Sequence, residues 1–293
     1  MTEPANTDQS AFSKVQNRLL LECYRHFKTE KLQIPTIPDV AFKIRKAIND
    51  PSANNSKIAK VVQIDPTITA RLIRIANSPL YRGRRTIESC PEALTRMGLK
   101  AAQDIITSFA LKTVFQAKTP LVRKRMAELW HHSSYVAAIS AVFAHKLRGF
   151  DPDKAMLAGL IHDIGTVPIL TFVDSIPGHD LDLRQLQETI RLLRVEIGVF
   201  ILQQWDFGED FQDVVRHAEH WRRDSGGSAD YADIVMLSQL HSYIGKVDSK
   251  KLPQLDMLPA FQKLMSGQFD IDTSISILDE AQDEIEHIRT MLN

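Results

Sequence analysis

The chain has 293 residues, 44% of them hydrophobic and 25% charged, which is typical of a globular protein with a sizeable core. Lysine plus arginine and aspartate plus glutamate each number 36, so the net charge is zero and no overall positive field attracts nucleic acid. Cys23 and Cys90 form no CxxC motif and no disulfide framework, which favours a reducing compartment.

The hydropathy of the chain argues against a membrane protein. The first ten residues are polar and lack the apolar core of a signal peptide. The longest uncharged run, residues 131–145, is too short and too polar to span a bilayer. We therefore expect a soluble cytoplasmic protein with no membrane contact.

Helical periodicity runs through almost the whole sequence. Apolar residues recur every three or four positions, and no stretch alternates in polarity for long enough to predict a strand. Asp65-Pro66 and Asp151-Pro152 indicate helix starts, because proline is favoured in the first helical turn. The predicted helices cover residues 11–30, 40–49, 56–63, 66–77, 87–96, 99–115, 121–147, 153–163, 184–204, 209–221, 231–247 and 274–292. The fold class is therefore predicted to be all-α.

The adjacent pair His162–Asp163 lies in the apolar run AMLAGLIHDIGTVPIL, in the last turn of a predicted buried helix. Burying an imidazole and a carboxylate is costly unless a partner or a metal ion compensates them. Both groups are good ligands for zinc, manganese or iron. The alternative is a core histidine whose tautomer is fixed by a hydrogen bond to the aspartate. A His-Asp dipeptide alone favours this structural interpretation.

Other histidines lie where they could meet this pair. His131 and His132 begin the long uncharged run, and His217 and His220 are three residues apart, on one face of a helix. Each of them alone is better explained as a structural or surface residue. The joint order is more specific, because a histidine is followed by the His-Asp pair and then by a histidine-bearing helix.

The segments WHHSSYVA and AGLIHDIG, in this order, resemble the HD phosphohydrolase superfamily. The first half of the chain gives a narrower match, since IDPTITARLIRIANSPLYRGRRTIESCPEALTRMGLKAAQDIITSFAL is similar to the signature half of an HDOD domain. IPTIPDV resembles the opening loop of that family, and WDFGEDFQDVVRHAEH resembles its late helix. The resemblance covers most of the chain, from about residue 30 to about residue 245.

This resemblance implies two helical lobes, of which the second is HD-like. It divides the chain into an N-terminal helical extension (1–30), a first lobe (31–118), the HD-like lobe (119–247) and an acidic amphipathic helical tail (248–293). HD enzymes hold one or two metal ions and hydrolyse phosphate esters. HDOD proteins usually lack part of the ligand set and are generally regarded as regulatory modules in bacterial signalling.

The resemblance also carries the metal ligands of the HD enzymes over by position. They fall on His132, His162 and Asp163, and a further histidine position of the family falls on His217. If an ion binds, His132, His162 and Asp163 supply three ligands and water supplies the rest. The divalent ions that suit such a set are Mn²⁺, Fe²⁺, Mg²⁺ and Zn²⁺.

The closing aspartate of the HD enzymes falls near Gln239, and this departure argues against catalysis. Asp233 lies six residues earlier on the same predicted helix, about 9 Å along the axis and roughly 240° around it, so it does not reach the same point. With Asp163 as the single charged ligand, a metal site is weaker and generates hydroxide poorly. The metal-free alternative is a charge-assisted His-Asp-His network that holds the two lobes in one geometry.

A segment rich in arginine lies between residues 71 and 87 and contains no acidic residue. A planar guanidinium binds phosphate and carboxylate well, so this segment could form an anion-binding or partner-binding patch. The alternative is a solvated turn whose arginines pair with acids elsewhere, because charge runs usually face solvent. The arginines concerned are Arg71, Arg74, Arg82, Arg84 and Arg85.

The sequence therefore favours a non-catalytic regulatory module of signal transduction. It would act through protein contacts, with signalling proteins as partners in trans, or through a nucleotide ligand, and it could form homo-oligomers. The competing hypothesis is a metal-dependent phosphohydrolase that acts on a nucleotide or a cyclic dinucleotide. Nucleic-acid binding is a third class, and the neutral net charge argues against it.

Overall fold

The computed structural model describes residues 17–81, 83, 85–147, 149–176, 182–248, 252–264 and 271–293. Within these ranges the chain forms helices and turns and no strand, so the prediction of an all-α fold is confirmed.

The helices begin with α1, which belongs to the N-terminal extension, and the first lobe follows it. Their bounds are α1 Arg18–Lys28, α2 Asp39–Ile48, α3 Asn55–Val62, α4 Pro66–Ala76, α5 Cys90–Met97 and α6 Leu99–Leu111. The HD-like lobe and the tail contain α7 Pro120–Lys146, α8 Pro152–Ile161, α9 Thr166–Asp174, α10 Leu183–Gln204, α11 Glu209–His217, α12 Tyr231–Tyr243, α13 Pro259–Leu264, α14 Ile271–Glu280 and α15 Gln282–Leu292. Short 3₁₀ turns cover Pro79–Tyr81, Lys112–Val114 and Leu255–Met257.

Capping residues account for the two helix starts that the sequence predicts. The side chain of Asp65 accepts hydrogen bonds from two backbone amides in the first turn of α4, which Pro66 begins. Asp151 caps α8 in the same way, with Pro152 in the first turn. A side-chain oxygen at this position satisfies amide groups that the helix itself leaves without partners.

Several helices end earlier than the sequence predicts. The predicted helix 209–221 ends at His217, and the predicted helix 99–115 ends at Leu111 and continues as a 3₁₀ turn. The predicted tail helix 274–292 is two helices, α14 and α15. Periodicity indicates which residues share a helix face, but it does not mark the residue at which the backbone hydrogen bonds stop.

The long helix α7 lies at the centre of the fold. It packs against α8, α12 and α15, while α6 of the first lobe packs against α8. One contiguous apolar core contains residues of both lobes and of the tail, among them Ile105, Ile161 and Ile285. The proposed boundaries at residues 31, 119 and 248 do not coincide with a break in this core, and they stay a prediction.

The helices at both ends of the described chain dock on the HD-like lobe. Asn17 caps α1 and donates a side-chain hydrogen bond to the carbonyl of Gln185 in α10, at 2.8 Å. In the tail, α15 buries Leu292 fully, and the indole of Trp130 in α7 donates a hydrogen bond to the side chain of Asn293, at 2.7 Å.

One segment, Pro152–Asp174, is long and apolar enough to span a membrane by length and composition alone, with a mean hydropathy of 1.6. It forms α8 and α9, which are separated by a turn at residues 162–165, and 83% of its most apolar part is buried inside the protein. Burial accounts for the apolar composition, because a helix inside a protein core is hydrophobic on all sides, as a membrane-spanning helix is.

Candidate functional site

The His162–Asp163 pair lies in the turn that directly follows α8. The helix ends at Ile161, so the pair stands just beyond the last helical turn rather than within it. The Nδ1 atom of His162 lies 2.7 Å from the carbonyl oxygen of Gly159 and donates a hydrogen bond to it. The other ring nitrogen, Nε2, is 3.4 Å from Oδ2 of Asp163. The backbone therefore orients the ring so that Nε2 faces the carboxylate.

The central helix α7 brings His132 to the same place. Its ring centroid is 5.2 Å from that of His162, and its other face stacks on Tyr243 of α12 at 5.6 Å. One donor atom from each of His132, His162 and Asp163 lies within 4.8 Å of the other two. The sequence pattern thus selected three residues that the fold brings together.

The donor set fits a divalent metal ion. The Nε2 atoms of His132 and His162 are both buried. That of His132 has no hydrogen-bond partner among the residues that the structure describes, and that of His162 contacts Oδ2 of Asp163 at 3.4 Å without the geometry of a hydrogen bond. Two imidazole nitrogens and a carboxylate oxygen are ligands that zinc, manganese and iron accept. The geometry leaves the identity of such an ion open.

Arg194 of α10 occupies the other side of Asp163, and sequence reasoning missed it. One guanidinium nitrogen contacts Oδ1 of Asp163, and the other contacts Oε2 of Glu219, in the loop after α11. Arg194 is 8% exposed, so the guanidinium is held inside the protein between two acids. The carboxylate that completes the donor set is therefore already paired with a cation.

Two glycines explain how α10 approaches this pocket so closely. Gly165 follows Asp163 by two residues, and a Cβ atom at Gly165 would overlap the carbonyl oxygen of Arg194 and lie 2.6 Å from the amide nitrogen of Gly198. The backbones of the 162–165 turn and of α10 are thus in direct contact. This backbone contact places Arg194 beside the His-Asp pair.

Gln239 of α12 lies where the closing aspartate was expected. Its Nε2 donates to Oε1 of Glu219, at 3.2 Å, and also lies 3.1 Å from the hydroxyl of Tyr243. Its Oε1 is buried and has no hydrogen-bond partner among the described residues. Asp233, at the start of α12, does not replace the missing acid, because it is fully buried and pairs with Arg223 at 3.1 Å.

His217, the further histidine that the resemblance implies, ends α11 and lies outside the three-donor cluster. Its ring stacks on that of His220 at 5.9 Å, and its Nδ1 is buried with no partner among the described residues. Burial lowers the pKa of His217, as does the charge of Arg223. His217 is therefore not one of the donors in the cluster that contains Asp163.

Electrostatic interactions in the pocket favour an ionised aspartate. Burial alone would raise the pKa of Asp163, but His162 and Arg194 hold it well below its ordinary value. Burial alone would lower the pKa of His162, but the Asp163 carboxylate and the Gly159 carbonyl raise it. Burial, together with the neighbouring His162, lowers the pKa of His132 to about 4. Asp163 thus lies between a guanidinium and a histidine that holds its proton more tightly than usual.

This network belongs to the HD-like lobe alone. His132, His162, Asp163, Arg194 and Glu219 all lie between residues 119 and 247. The metal-free alternative, in which a charge-assisted His-Asp-His network holds the two lobes in one geometry, stays a prediction, as do the lobe boundaries. The pairing that the sequence analysis did not identify is between Asp163 and Arg194.

The cavity that reaches Asp163 is small, whereas a larger cleft lies elsewhere. The cavity at Asp163 has a volume of about 240 Å³ and is lined largely by leucine and isoleucine side chains. The larger cleft, of about 890 Å³, lies between the starts of α2 and α4, the end of α6 and the first half of α7. Sites for small organic ligands usually have the size of the second.

The described arginines of the arginine-rich segment lie in different surroundings. Arg71 lines the 890 Å³ cleft, and its guanidinium lies over the ring of Phe109, 5.6 Å from the centroid. Arg85 is exposed and pairs with Glu92 at 3.1 Å, as the solvated alternative expects. Arg74 is exposed on α4. Arg82 and Arg84 lie outside the described residues. An anion-binding role for these arginines stays a prediction.

The all-α fold encloses a pocket in which two histidines and one aspartate lie together. The chain belongs to the HDOD domain family, which it matches over residues 34–221. The identification from the histidine pattern and from the first-lobe segment is thereby confirmed.

Solved structures support the same fold. The chain is similar to a protein from Shewanella amazonensis SB2B that is provisionally named a metal-dependent phosphohydrolase, with 24% identity and a TM-score of 0.78 over 94% of this chain and 98% of that chain. It is also similar to a protein from Marinobacter aquaeolei VT8, provisionally named a signal transduction protein, with 17% identity and a TM-score of 0.58 over 99% of this chain and 67% of that chain. At these identities the likeness shows the fold alone.

A curated relative is longer than this chain. An uncharacterized protein of Treponema pallidum (strain Nichols) is 26% identical over 200 residues, which are 62% of this chain and 37% of the relative. The chain therefore spans little more than a third of the length of the curated relative that it matches.

Proposed function

We propose that this chain is a non-catalytic regulatory module of signal transduction. The observation that carries the proposal is the contact of Arg194 with Asp163. The carboxylate that an HD hydrolase would give to its metal ion is neutralised by a buried guanidinium. A signal transduction protein is also the provisional name of the similar Marinobacter structure.

Hydrolysis would need more negative charge than this pocket offers. A bound ion must lower the pKa of a water molecule, and the site must then stabilise the charge that develops on the phosphoryl group. Asp163 and Glu219 are both in contact with Arg194, and Gln239 offers only a neutral amide. The small, apolar cavity at Asp163 also leaves little room for a nucleotide.

A metal-dependent phosphohydrolase is the second candidate function. It is favoured by the three donor atoms within 4.8 Å of one another, and the similar Shewanella protein carries that provisional name. His132, His162 and Asp163 would hold Mn²⁺, Fe²⁺, Mg²⁺ or Zn²⁺, and the ion would supply Lewis acidity and an activated water molecule. His162 would have to release its proton, and Asp163 would have to exchange Arg194 for the ion.

The proposed partners are signalling proteins in trans or a nucleotide ligand in a cytoplasmic setting. The 890 Å³ cleft between the lobes supports the nucleotide, because three cations, Arg71, Lys112 and Arg123, line it together with two acids and several buried apolar side chains. Guanidinium and ammonium groups bind phosphate, and apolar side chains pack against a flat ring. Homo-oligomers would place two such clefts in one assembly.

Metal content together with turnover tests the proposed function. Elemental analysis of the untagged protein, followed by phosphatase and phosphodiesterase assays with Mn²⁺, Fe²⁺ and Mg²⁺, should give substoichiometric metal and no rate above that of Asp163→Ala. One metal ion per chain, together with a rate that Asp163→Ala abolishes, would establish the hydrolase instead.

A further inference from the structure

The guanidinium of Arg194 is a permanent positive charge that balances the two acids beside it. It contacts Asp163 through one nitrogen and Glu219 through the other, and it is 8% exposed. A fork of two parallel donors holds two carboxylates more firmly than a single point charge does. The pocket therefore contains its own cation, supplied by the chain.

The backbone keeps this cation in place. Arg194 lies on the stretch of α10 that contacts the 162–165 turn, where Gly165 and Gly198 remove the side chains that would separate the two backbones. An arginine on an exposed helix face can turn away from an acid at little cost. Arg194 is held by the helix contact on one side and by two acids on the other, so its charge stays beside Asp163.

The acids around Arg194 could serve a metal ion if the guanidinium were absent. Glu219 would lose its cation and keep the hydrogen bond from Gln239, at 3.2 Å. Asp163 would be free on the Oδ1 side, while its Oδ2 stays near His162. The two carboxylates of the pocket would then no longer be paired with a guanidinium.

We propose that Arg194 is an internal cation that competes with divalent metal ions for Asp163. Removal of its charge makes the three-donor cluster a metal site and leaves Glu219, which lies outside that cluster, as a second negative charge near it. This inference rests on the proposed function, because it explains why the unaltered chain is not a hydrolase. It goes further in assigning the cause to one residue.

The experiment compares Mn²⁺ binding by the full chain and by Arg194→Met, with isothermal calorimetry and with elemental analysis after dialysis. Methionine keeps an apolar stem of similar reach and removes the charge. We expect Arg194→Met to bind one Mn²⁺ per chain with an affinity about 10- to 100-fold higher than that of the unaltered chain, the range that groups next to metal ligands usually control. Equal affinities would overturn the inference.

Arg191→Met is the matched control, since Arg191 is exposed on the same helix, three residues earlier. It should bind Mn²⁺ as the unaltered chain does. The double variant Arg194→Met with Asp163→Asn should lose the gain. If it keeps the gain, the ion binds elsewhere and the inference is wrong.

Arg194→Gln keeps the test decisive if the methionine variant does not fold. A glutamine amide is neutral but can still donate a hydrogen bond to an acid, so this variant should bind Mn²⁺ more tightly than the unaltered chain. Affinity no higher than that of the unaltered chain would contradict the inference. The two proposals fail differently: metal-dependent turnover by the unaltered chain refutes the regulatory function, whereas no gain in the Arg194 variants refutes only the internal cation.

Discussion

The hydroxyl of Tyr81, in a 3₁₀ turn of the first lobe, donates a hydrogen bond to the buried carboxylate of Asp153 at the start of α8. This contact joins the two lobes at a polar point. Burial and nearby acids raise the pKa of Asp153 to about 7, so the carboxylate is ionised at pH 8. Tyr81→Phe removes the donor, and a hydrogen bond to a charged group contributes about 1.5–3 kcal/mol. We expect a loss of that size in the free energy of unfolding by urea at pH 8, and a smaller loss at pH 5.

Tyr135→Phe is the control for this prediction. The Tyr135 ring lies near the cations of Lys246 and Arg289, and its hydroxyl has no hydrogen bond to a described residue. Its removal should leave the free energy of unfolding almost unchanged. Equal losses in the two variants would show that the Tyr81 hydroxyl does not join the lobes.

Asp104 of α6 gives the protein a pH dependence of opposite sign to that of an ordinary surface acid. It is 5% exposed, its Oδ2 has no hydrogen-bond partner among the described residues, and burial raises its pKa to about 7. The unfolded value is about 4, so the folded protein binds an additional proton between about pH 4 and pH 7. Stability therefore falls as pH rises through this range.

Asp104→Asn should flatten this dependence and raise the free energy of unfolding at pH 8 by about 1–3 kcal/mol relative to the unaltered chain. Urea unfolding at pH 5, 6, 7 and 8 measures the effect. A variant that is destabilised equally at all four values would show that the Asp104 carboxylate is satisfied in the folded protein.

The fold could be predicted from the sequence because its signals are local. Apolar spacing marks helix faces, and Asp65 and Asp151 before proline mark helix starts that the structure reproduces. The helix ends could not be placed as well. The predicted helix 209–221 ends at His217, because the last backbone hydrogen bonds depend on what the next residues contact in the folded protein.

Only part of the candidate site could be predicted from the sequence. A recognisable order of motifs selects His132, His162 and Asp163, whereas Arg194 and Glu219 come from other elements at spacings that carry no pattern. A signal for Arg194 did exist. It stands in the apolar stripe of α10, four residues before Gly198, and a charge within such a stripe indicates a buried partner.

Asp163→Asn should destabilise the protein even though no metal ion is involved. It leaves Arg194 buried with one acid instead of two, and breaking a buried ion pair from one side costs about 3–5 kcal/mol. The free energy of unfolding by urea at pH 7 measures the loss. Asp206→Asn is the control, because the Asp206 side chain is 96% exposed where it pairs with Arg45, so little change is expected. A neutral effect of Asp163→Asn would mean that Arg194 does not need Asp163.

Gly165→Ala tests the backbone contact that places Arg194. The new Cβ would overlap the carbonyl oxygen of Arg194, and neither backbone can yield without separating α10 from the turn. We expect a loss of about 3 kcal/mol in the free energy of unfolding. Gly227→Ala is the matched control, since the nearest atom to its Cβ is the carbonyl oxygen of Ser225 at 4.0 Å, and a change within about 0.5 kcal/mol is expected. Similar values for both variants would contradict the close crossing.

Arg71 provides the test of a nucleotide ligand. Its guanidinium lies over Phe109 in the 890 Å³ cleft, 5.6 Å from the ring centroid, and forms no ion pair or hydrogen bond with a described residue. Its donors are therefore available to a phosphate group. With GTP and cyclic di-GMP as calorimetric probes, Arg71→Ala should weaken binding about 10- to 100-fold, as the loss of a charged hydrogen bond does. Arg74→Ala, exposed three residues later on α4, should bind as the unaltered chain does. Equal binding by both variants would place the nucleotide outside this cleft, and no binding by the unaltered chain would leave protein contact as the regulatory interaction.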